Sequence, residues 1–402
     1  MQNHAWVQYS VRLTLAALYV SLFGCATQPA PVTPAVAPVA ATVVTPTAPV
    51  SAPPAVPTAV SEAPRITLAD TPAVNTETTA HIGLILPLKS ATFGAAAAAV
   101  QQGFMAAADR HASPLPVRVY PCNDEKTEVV QRYQEAVRAG AVAIAGPLTR
   151  NGVQALASQA ALPLPTLALN VVDAKGADNL YFFGLSAEQE AAQAARMAAQ
   201  AGLLSATLVR TESALSKRMV RAFAETWKKT GGVVTAEIVG DAASLRQLPV
   251  EPGSMVFLAV AAQQARLLRP YIPKELPVYA TSQIFSGNAD NLVNYDLAEV
   301  RFSDMPWVLQ IDHPAVMAYA HAAQPLPQEQ ERLYALGIDA WRLLNIVYQH
   351  DFSNRLPLDG VTGTISLNGH LFEREPLPAL IRDGQGMPLS AAPPLPAVPP
   401  RP

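Results

Sequence analysis

Residues 81–110, HIGLILPLKSATFGAAAAAVQQGFMAAADR, narrow the fold more than any other stretch of the chain. The apolar run Ile82-Gly83-Leu84-Ile85-Leu86 has the length of a strand buried on both faces. Pro87 ends it, and Lys89-Ser90-Ala91-Thr92 supplies a loop. Phe93, Ala97, Val100, Phe104, Ala107 and His111 then recur at helical spacing on one face. The alanines make that helix thin enough to lie close to a sheet. A strand, a loop and a helix in this order form a βα unit, and in open parallel sheets ligands bind at the loops that follow the strands.

The unit repeats. Strand patterns fall at 117–122, 141–145, 165–169 and 180–185, with helices at 125–139 and 151–160 between them. The first of these helices should turn Val129, Val130, Tyr133 and Val137 inward. A second set has helices at 186–201, 215–229 and 261–271, and strands at 206–210, 233–239, 255–260, 277–281 and 300–302. Ser186 with Gln189 three residues on reads as a capping box. Asp312 reads as the cap of a helix reaching about His321. A longer helix spans 328–349 with Leu333, Leu336, Ala340, Leu343, Leu344 and Val347 as its stripe, and 360–367 closes as a strand pair. Alternation of this kind implies parallel sheets and right-handed crossovers. The expected fold class is therefore α/β with two Rossmann-like lobes, joined by several crossovers. Lobe one should hold 81–185 and 308–350, and lobe two 186–307 and 351–386.

The ends read differently. Residues 13–24, LTLAALYVSLFG, form an apolar run of 12 preceded by Arg12, too short to span a bilayer and suited to a signal-peptide core. Leu22-Phe23-Gly24-Cys25 resembles a bacterial lipobox, although Phe23 stands where a small residue is usual. Cys25 is the expected lipid anchor, and Ala26 after it points to the outer membrane. Residues 26–64 hold ten prolines, and Glu62 is their only charge. No periodic apolar face appears there, so a disordered, polyproline-rich tether over 25–80 is expected. The 39 residues of 26–64 could reach roughly 120 Å at full extension. The Pro-rich tail 387–402 is expected to be disordered as well. With Cys25 lipidated, Cys122 has no intramolecular partner, which leaves it as a small buried hydrophobe.

Several short stretches carry a resemblance to a known family. In order they are ILPL (85–88), AGPLTR (145–150), ALN (168–170), FGLSAEQEA (183–191), LPVYATSQ (276–283), DMPW (304–307), LYALGIDA (333–340) and DGVTG (359–363). Taken together they resemble class I periplasmic-binding domains, and among these the LppC or LpoA family of outer-membrane lipoproteins that activate penicillin-binding proteins. The resemblance covers nearly all of 81–375. Larger members place a helical-repeat domain between anchor and bilobed domain, where this chain has the proline tether. Small-molecule receptors of this fold usually place Ser and Thr after strands three and four. Here Pro147-Leu148-Thr149 and Ala168-Leu169-Asn170 stand there.

Signatures of catalysis are missing from the sequence. Ser-x-x-Lys, Gly-x-Ser-x-Gly, His-Glu-x-x-His, Gly-x-Gly-x-x-Gly and a Walker loop do not occur. The seven histidines are scattered, and His313 and His321, eight apart, do not make a metal pair. A net charge of −3 gives no electrostatic grip on nucleic acid. Residues expected at the cleft mouth or at a partner surface are Lys89, Ser90 and Phe93 after the first strand, then Leu148, Thr149, Arg150 and Asn170. Ser186, Thr281, Ser282 and Gln283 join them from lobe two, and Asp304 and Trp307 from a lobe crossing. No cofactor and no metal are expected.

The resemblance implies a regulator without catalysis of its own. It would sit on the periplasmic face of the outer membrane through lipid on Cys25, and bind and allosterically activate a class A penicillin-binding protein in peptidoglycan synthesis. The alternative is a periplasmic receptor for a small amino-acid-like or amide ligand.

Overall fold

The computed structural model describes residues 79–389, apart from Lys175 and Asp290. The expected signal peptide, the Cys25 anchor, nearly all of the tether and the tail from 390 lie outside the described residues. β1 (His81–Leu86) is buried along its whole length, as its unbroken apolar run requires. Beside it lie β2 (Val117–Pro121), β3 (Ala141–Ala145), β4 (Thr166–Ala168) and β5 (Leu180–Phe182), all parallel. α1 (Gly94–Arg110), α2 (Lys126–Arg138) and α3 (Arg150–Ala157) connect them.

The chain then crosses into lobe two at α4 (Ala187–Gln200). There β6 (Ser205–Arg210), α5 (Ala214–Lys229), β7 (Val233–Val239), α6 (Ala242–Arg246) and β8 (Ser254–Ala259) follow. α7 (Ala262–Leu268), β9 (Val278–Ala280) and β10 (Val300–Asp304) complete its parallel part. A second crossing runs through α8 (Pro306–Leu309) and α9 (Pro314–Met317) to α10 (Gln328–Gln349), which packs in lobe one. After α11 (Phe352–Arg355) come β11 (Leu358–Gly360), β12 (Gly363–Asn368) and β13 (Leu371–Glu375). The third crossing is the single residue Pro376, before β14 (Leu377–Arg382) and β15 (Gln385–Pro388).

The two sheets have orders β11-β12-β13-β5-β4-β3-β1-β2 and β15-β14-β10-β9-β8-β6-β7. This corrects the lobe boundaries. Residues 358–375 were expected in lobe two, but β13 pairs parallel with β5. Val361, Ile365 and Phe372 are buried in the lobe-one core, which holds that segment there. Only β14 and β15 join lobe two. The tail is corrected too: Met387 and Pro388 belong to β15, paired with Leu380 and Ala379. The Asp312 cap also fails. The helix there runs only from Pro314 to Met317, and His313 caps it with Nδ1, which accepts from the Ala315 amide. His313 and His321 therefore do not share a helix.

α1 packs against α10 as well as against the sheet, and glycines set the closest approach of the two helices. A Cβ on Gly103 would stand 1.9 Å from the Tyr334 carbonyl oxygen, and one on Gly337 would stand 2.2 Å from that of Val100. Two glycines thus let the backbones touch, a contact no larger residue permits. Phe104 and Trp341 close the same interface edge to face, 5.4 Å between ring centroids. Phe93 falls just outside α1 and is exposed, so the apolar stripe is shorter at both ends than its spacing implied.

Candidate functional site: the seam between the lobes

The residues expected at the cleft mouth fall into two groups. The strand-end residues of lobe one spend their polar atoms on their own and neighbouring strand-end loops of that lobe. Thr149 caps α3 by accepting from the Gly152 amide, and its hydroxyl donates to Asp124. Asn170 donates to the Leu148 carbonyl at 2.9 Å and accepts from the Val171 amide. Ser90 accepts from the Phe93 amide. Lys89 is half-exposed beside Glu128, at 3.8 Å. Leu148 is buried. Arg150 donates to the Val171 carbonyl and reaches within 4.0 Å of Glu188 across the seam.

The second group closes the seam. Asp304, at the end of β10, is fully buried and meets Arg332 of α10 at 2.6 Å. The same guanidinium donates to the carbonyls of Ser282 and Phe285, at 3.0 and 2.9 Å. Arg332 thus comes from lobe one and is held entirely by lobe two, apart from Glu329 on its own helix. Burial opposes its charge, but Asp304 outweighs burial and holds the guanidinium above its ordinary value.

A second buried pair repeats the arrangement. Arg374 of β13 in lobe one meets Glu190 of α4 in lobe two, and also donates to the Thr362 carbonyl. Glu190 in turn accepts from the Ser282 amide at 3.0 Å. Arg374, Glu190, Ser282, Arg332 and Asp304 therefore form one continuous network through the seam. Gln193 adds a hydrogen bond to the Pro376 carbonyl at the third crossing. Ser186, at the first crossing, caps α4 as its spacing implied, accepting from the Gln189 amide at 3.3 Å.

Thr281, Asp304 and Trp307 are enclosed by protein, so the expectation that they face a ligand or partner does not hold. Thr281 donates only to the Met219 sulfur. Trp307 donates to Glu331 at 2.8 Å and packs on His321 and Tyr334. The cavity left at the seam measures about 180 Å³ and is lined by Leu185, Glu190, Ser282, Gln283, Glu329 and Arg332 among others. Ligand pockets usually occupy roughly 300–1,000 Å³.

Glu190, Arg332 and Arg374 did not stand out in the sequence, yet each carried a signal. Arg332 lies four residues before Leu336 on the apolar stripe of α10. Arg374 shares a strand face with buried Phe372. Asp339 was missed as well. Fully buried on α10, it accepts from the amides of Val361 and Thr362 and from the Thr362 hydroxyl, and pairs with Arg342 at 3.1 Å. Burial pushes its carboxyl up from the ordinary range. Its lone pairs are taken, so it holds the 360–363 turn and has none to spare for proton transfer. Among the described residues, no group of three or more His, Cys, Asp or Glu could hold a metal ion.

The LppC lipoprotein family model matches residues 52–250 and 249–375, most of the chain. The chain belongs to the LppC family. Its similarity to named LppC-type proteins is moderate. It is 28% identical to the penicillin-binding protein activator LpoA of Edwardsiella piscicida over 294 residues, 61% of this chain and 42% of that protein. The LpoA of Klebsiella pneumoniae is also 28% identical, over 64% of this chain and 44% of the relative. The chain thus spans less than half the length of these curated relatives. Among solved structures, the C-domain of LpoA from Haemophilus influenzae, described as a regulator of PBP1A, aligns with a TM-score of 0.65 and 23% identity. The alignment covers 77% of this chain and 99% of that domain, and supports the fold alone. A Chromobacterium violaceum protein assigned by name to branched-chain amino acid ABC transport aligns with a TM-score of 0.64 and 37% identity, over 75% of this chain and 100% of the other. The class I periplasmic-binding fold of this LppC chain is therefore shared with both activators and transport proteins.

Proposed function

We propose that the chain is a lipid-anchored regulator that binds a class A penicillin-binding protein and raises its activity allosterically. The observation that carries this reading is the seam. Two buried ion pairs tie the lobes together, and the strand-end side chains that would hold a ligand's polar groups are engaged within the protein. A body of this kind offers a partner a fixed surface. It acts by binding the active conformation of the synthase more tightly than the inactive one. Lipid on Cys25 holds it to the outer membrane, and the proline-rich segment carries it toward the inner membrane. The names of the LpoA relatives point the same way.

The test uses residues 65–402, without lipid, added to the class A penicillin-binding protein of the same organism. Faster glycan polymerisation and peptide cross-linking with saturable binding is the expected result. Unchanged rates and no binding overturn the reading. The second reading, a solute receptor, is favoured by the 37% identity to the C. violaceum protein. A branched-chain amino acid that raises the melting temperature in proportion to its occupancy would establish it instead.

A further inference from the structure

A second pocket, nearly twice the size of the seam cavity at about 340 Å³, opens at the other end of α10. Arg332 marks the seam end of that helix, and the pocket begins at Trp341 and Arg342. That places it about 14 Å or more along the helix from the lobe junction. Its volume lies within the range of pockets that hold small ligands.

The lining combines charge with uncommitted polar atoms. Arg342 is anchored from behind by Asp339 and by the Asp359 carbonyl. Arg355 is half-exposed, and only its Nε is engaged, by Asp351 at 3.2 Å. Asn345 uses its amide NH2 on the Trp341 carbonyl, and its Oδ1 makes no hydrogen bond to the described residues. Gln349 makes no side-chain hydrogen bond to the described residues. His111 uses Nε2 on the Tyr319 hydroxyl and keeps Nδ1. The helix C-termini nearby carry partial negative charge. Even so, burial first and then the charges of Arg342, Arg110 and Arg355 lower the His111 pKa. Two guanidinium groups, each paired with one Asp, therefore line the pocket beside His111.

We propose that this pocket binds a ligand carrying both a carboxylate and an amide, with Arg355 and Arg342 facing the carboxylate and Asn345 and Gln349 the amide. Guanidinium donors suit a carboxylate, and side-chain amides match an amide in both donor and acceptor sense. Such chemistry comes either from a cell-wall muropeptide or from a free acylated amino acid. The pocket argument stands apart from the activator reading, and only the choice of a muropeptide as one probe rests on that reading.

Isothermal titration of the full-length chain tests this with three probes: N-acetylmuramyl-L-alanyl-D-isoglutamine, N-acetyl-L-glutamate and N-acetylglucosamine. The carboxylates should bind saturably and the neutral sugar should not. Arg355→Gln should weaken carboxylate binding about tenfold at an unchanged melting temperature, and Gln349→Ala should weaken it less. Tighter binding of the muropeptide supports a wall-derived ligand. Tighter binding of N-acetyl-L-glutamate supports the same pocket chemistry with a free metabolite. No saturable binding of either carboxylate, equal binding of the neutral sugar, or indifference to both substitutions overturns the proposal. None of these readouts involves a synthase, so failure here leaves the activator reading separately testable.

Discussion

Arg332 and Asp304 lie on different lobes and meet at 2.6 Å, both nearly inaccessible to solvent. Removing one partner of such a pair leaves a buried charge with nothing to balance it. Asp304→Asn should therefore cost about 3–5 kcal/mol of stability by chemical denaturation. Joint replacement of Asp304 by Leu and Arg332 by Met should cost less than the sum of the two single changes, and a double-mutant cycle measures that difference.

The glycine contact between α1 and α10 makes a sharper steric prediction. Gly103→Ala places a methyl against the Tyr334 carbonyl, and the backbones must part to admit it. A loss of about 1–3 kcal/mol is expected, read from the urea midpoint. Gly202→Ala meets open space and serves as a spatial control, with only the strain of its positive φ to bear.

Acid should weaken the first lobe crossing through Glu188. Burial raises this carboxyl, but hydrogen bonds from Arg218, its own backbone amide and Ser186, together with the Arg218 charge, outweigh that and leave it below its ordinary 4.5. The unfolded chain then takes up the proton first. Glu188 therefore contributes stability that is present above about pH 4.5 and lost as pH falls through the lowered folded value. Glu188→Gln should lower the melting temperature at neutral pH, leave it little changed at the acid end, and so flatten the profile between them.

Cys122 should be inert in the native protein. It is fully buried, its Sγ donates to the Leu86 carbonyl, and burial pushes the thiol up to about 11. A maleimide should label it only in denaturant, at a rate that follows unfolding. Rapid native labelling would show that the end of β2 opens locally.

Deleting residues 30–60 tests the reach of the tether. The deletion should abolish activation in cells, although the soluble 65–402 protein, which lacks the whole segment, still activates the synthase in vitro. Full activity in cells would sink the reach argument.

Local sequence determined most of the elements and the fold class. The unbroken apolar run of β1, the Ser186 cap and the stripe of α10 each depend on residues within a few positions of one another, and each stands in the structure where its pattern placed it. Most of the motifs that carried the family resemblance sit at strand ends and helix starts, while 333–340 lies inside α10 and 359–363 at the turn before β12. Tertiary structure alone decided three things. Strand pairing across nearly 190 residues put β13 beside β5 and moved 358–375 into lobe one. The pairing of Arg332 with Asp304 and of Arg374 with Glu190 turned the anticipated cleft into a seam. The polar atoms of Thr149 and Asn170 went to partners on neighbouring loops, Asp124 and Leu148, which no spacing reveals. A periodic pattern states which face of an element is buried, and it carries no information about which distant element supplies the charge that meets it there.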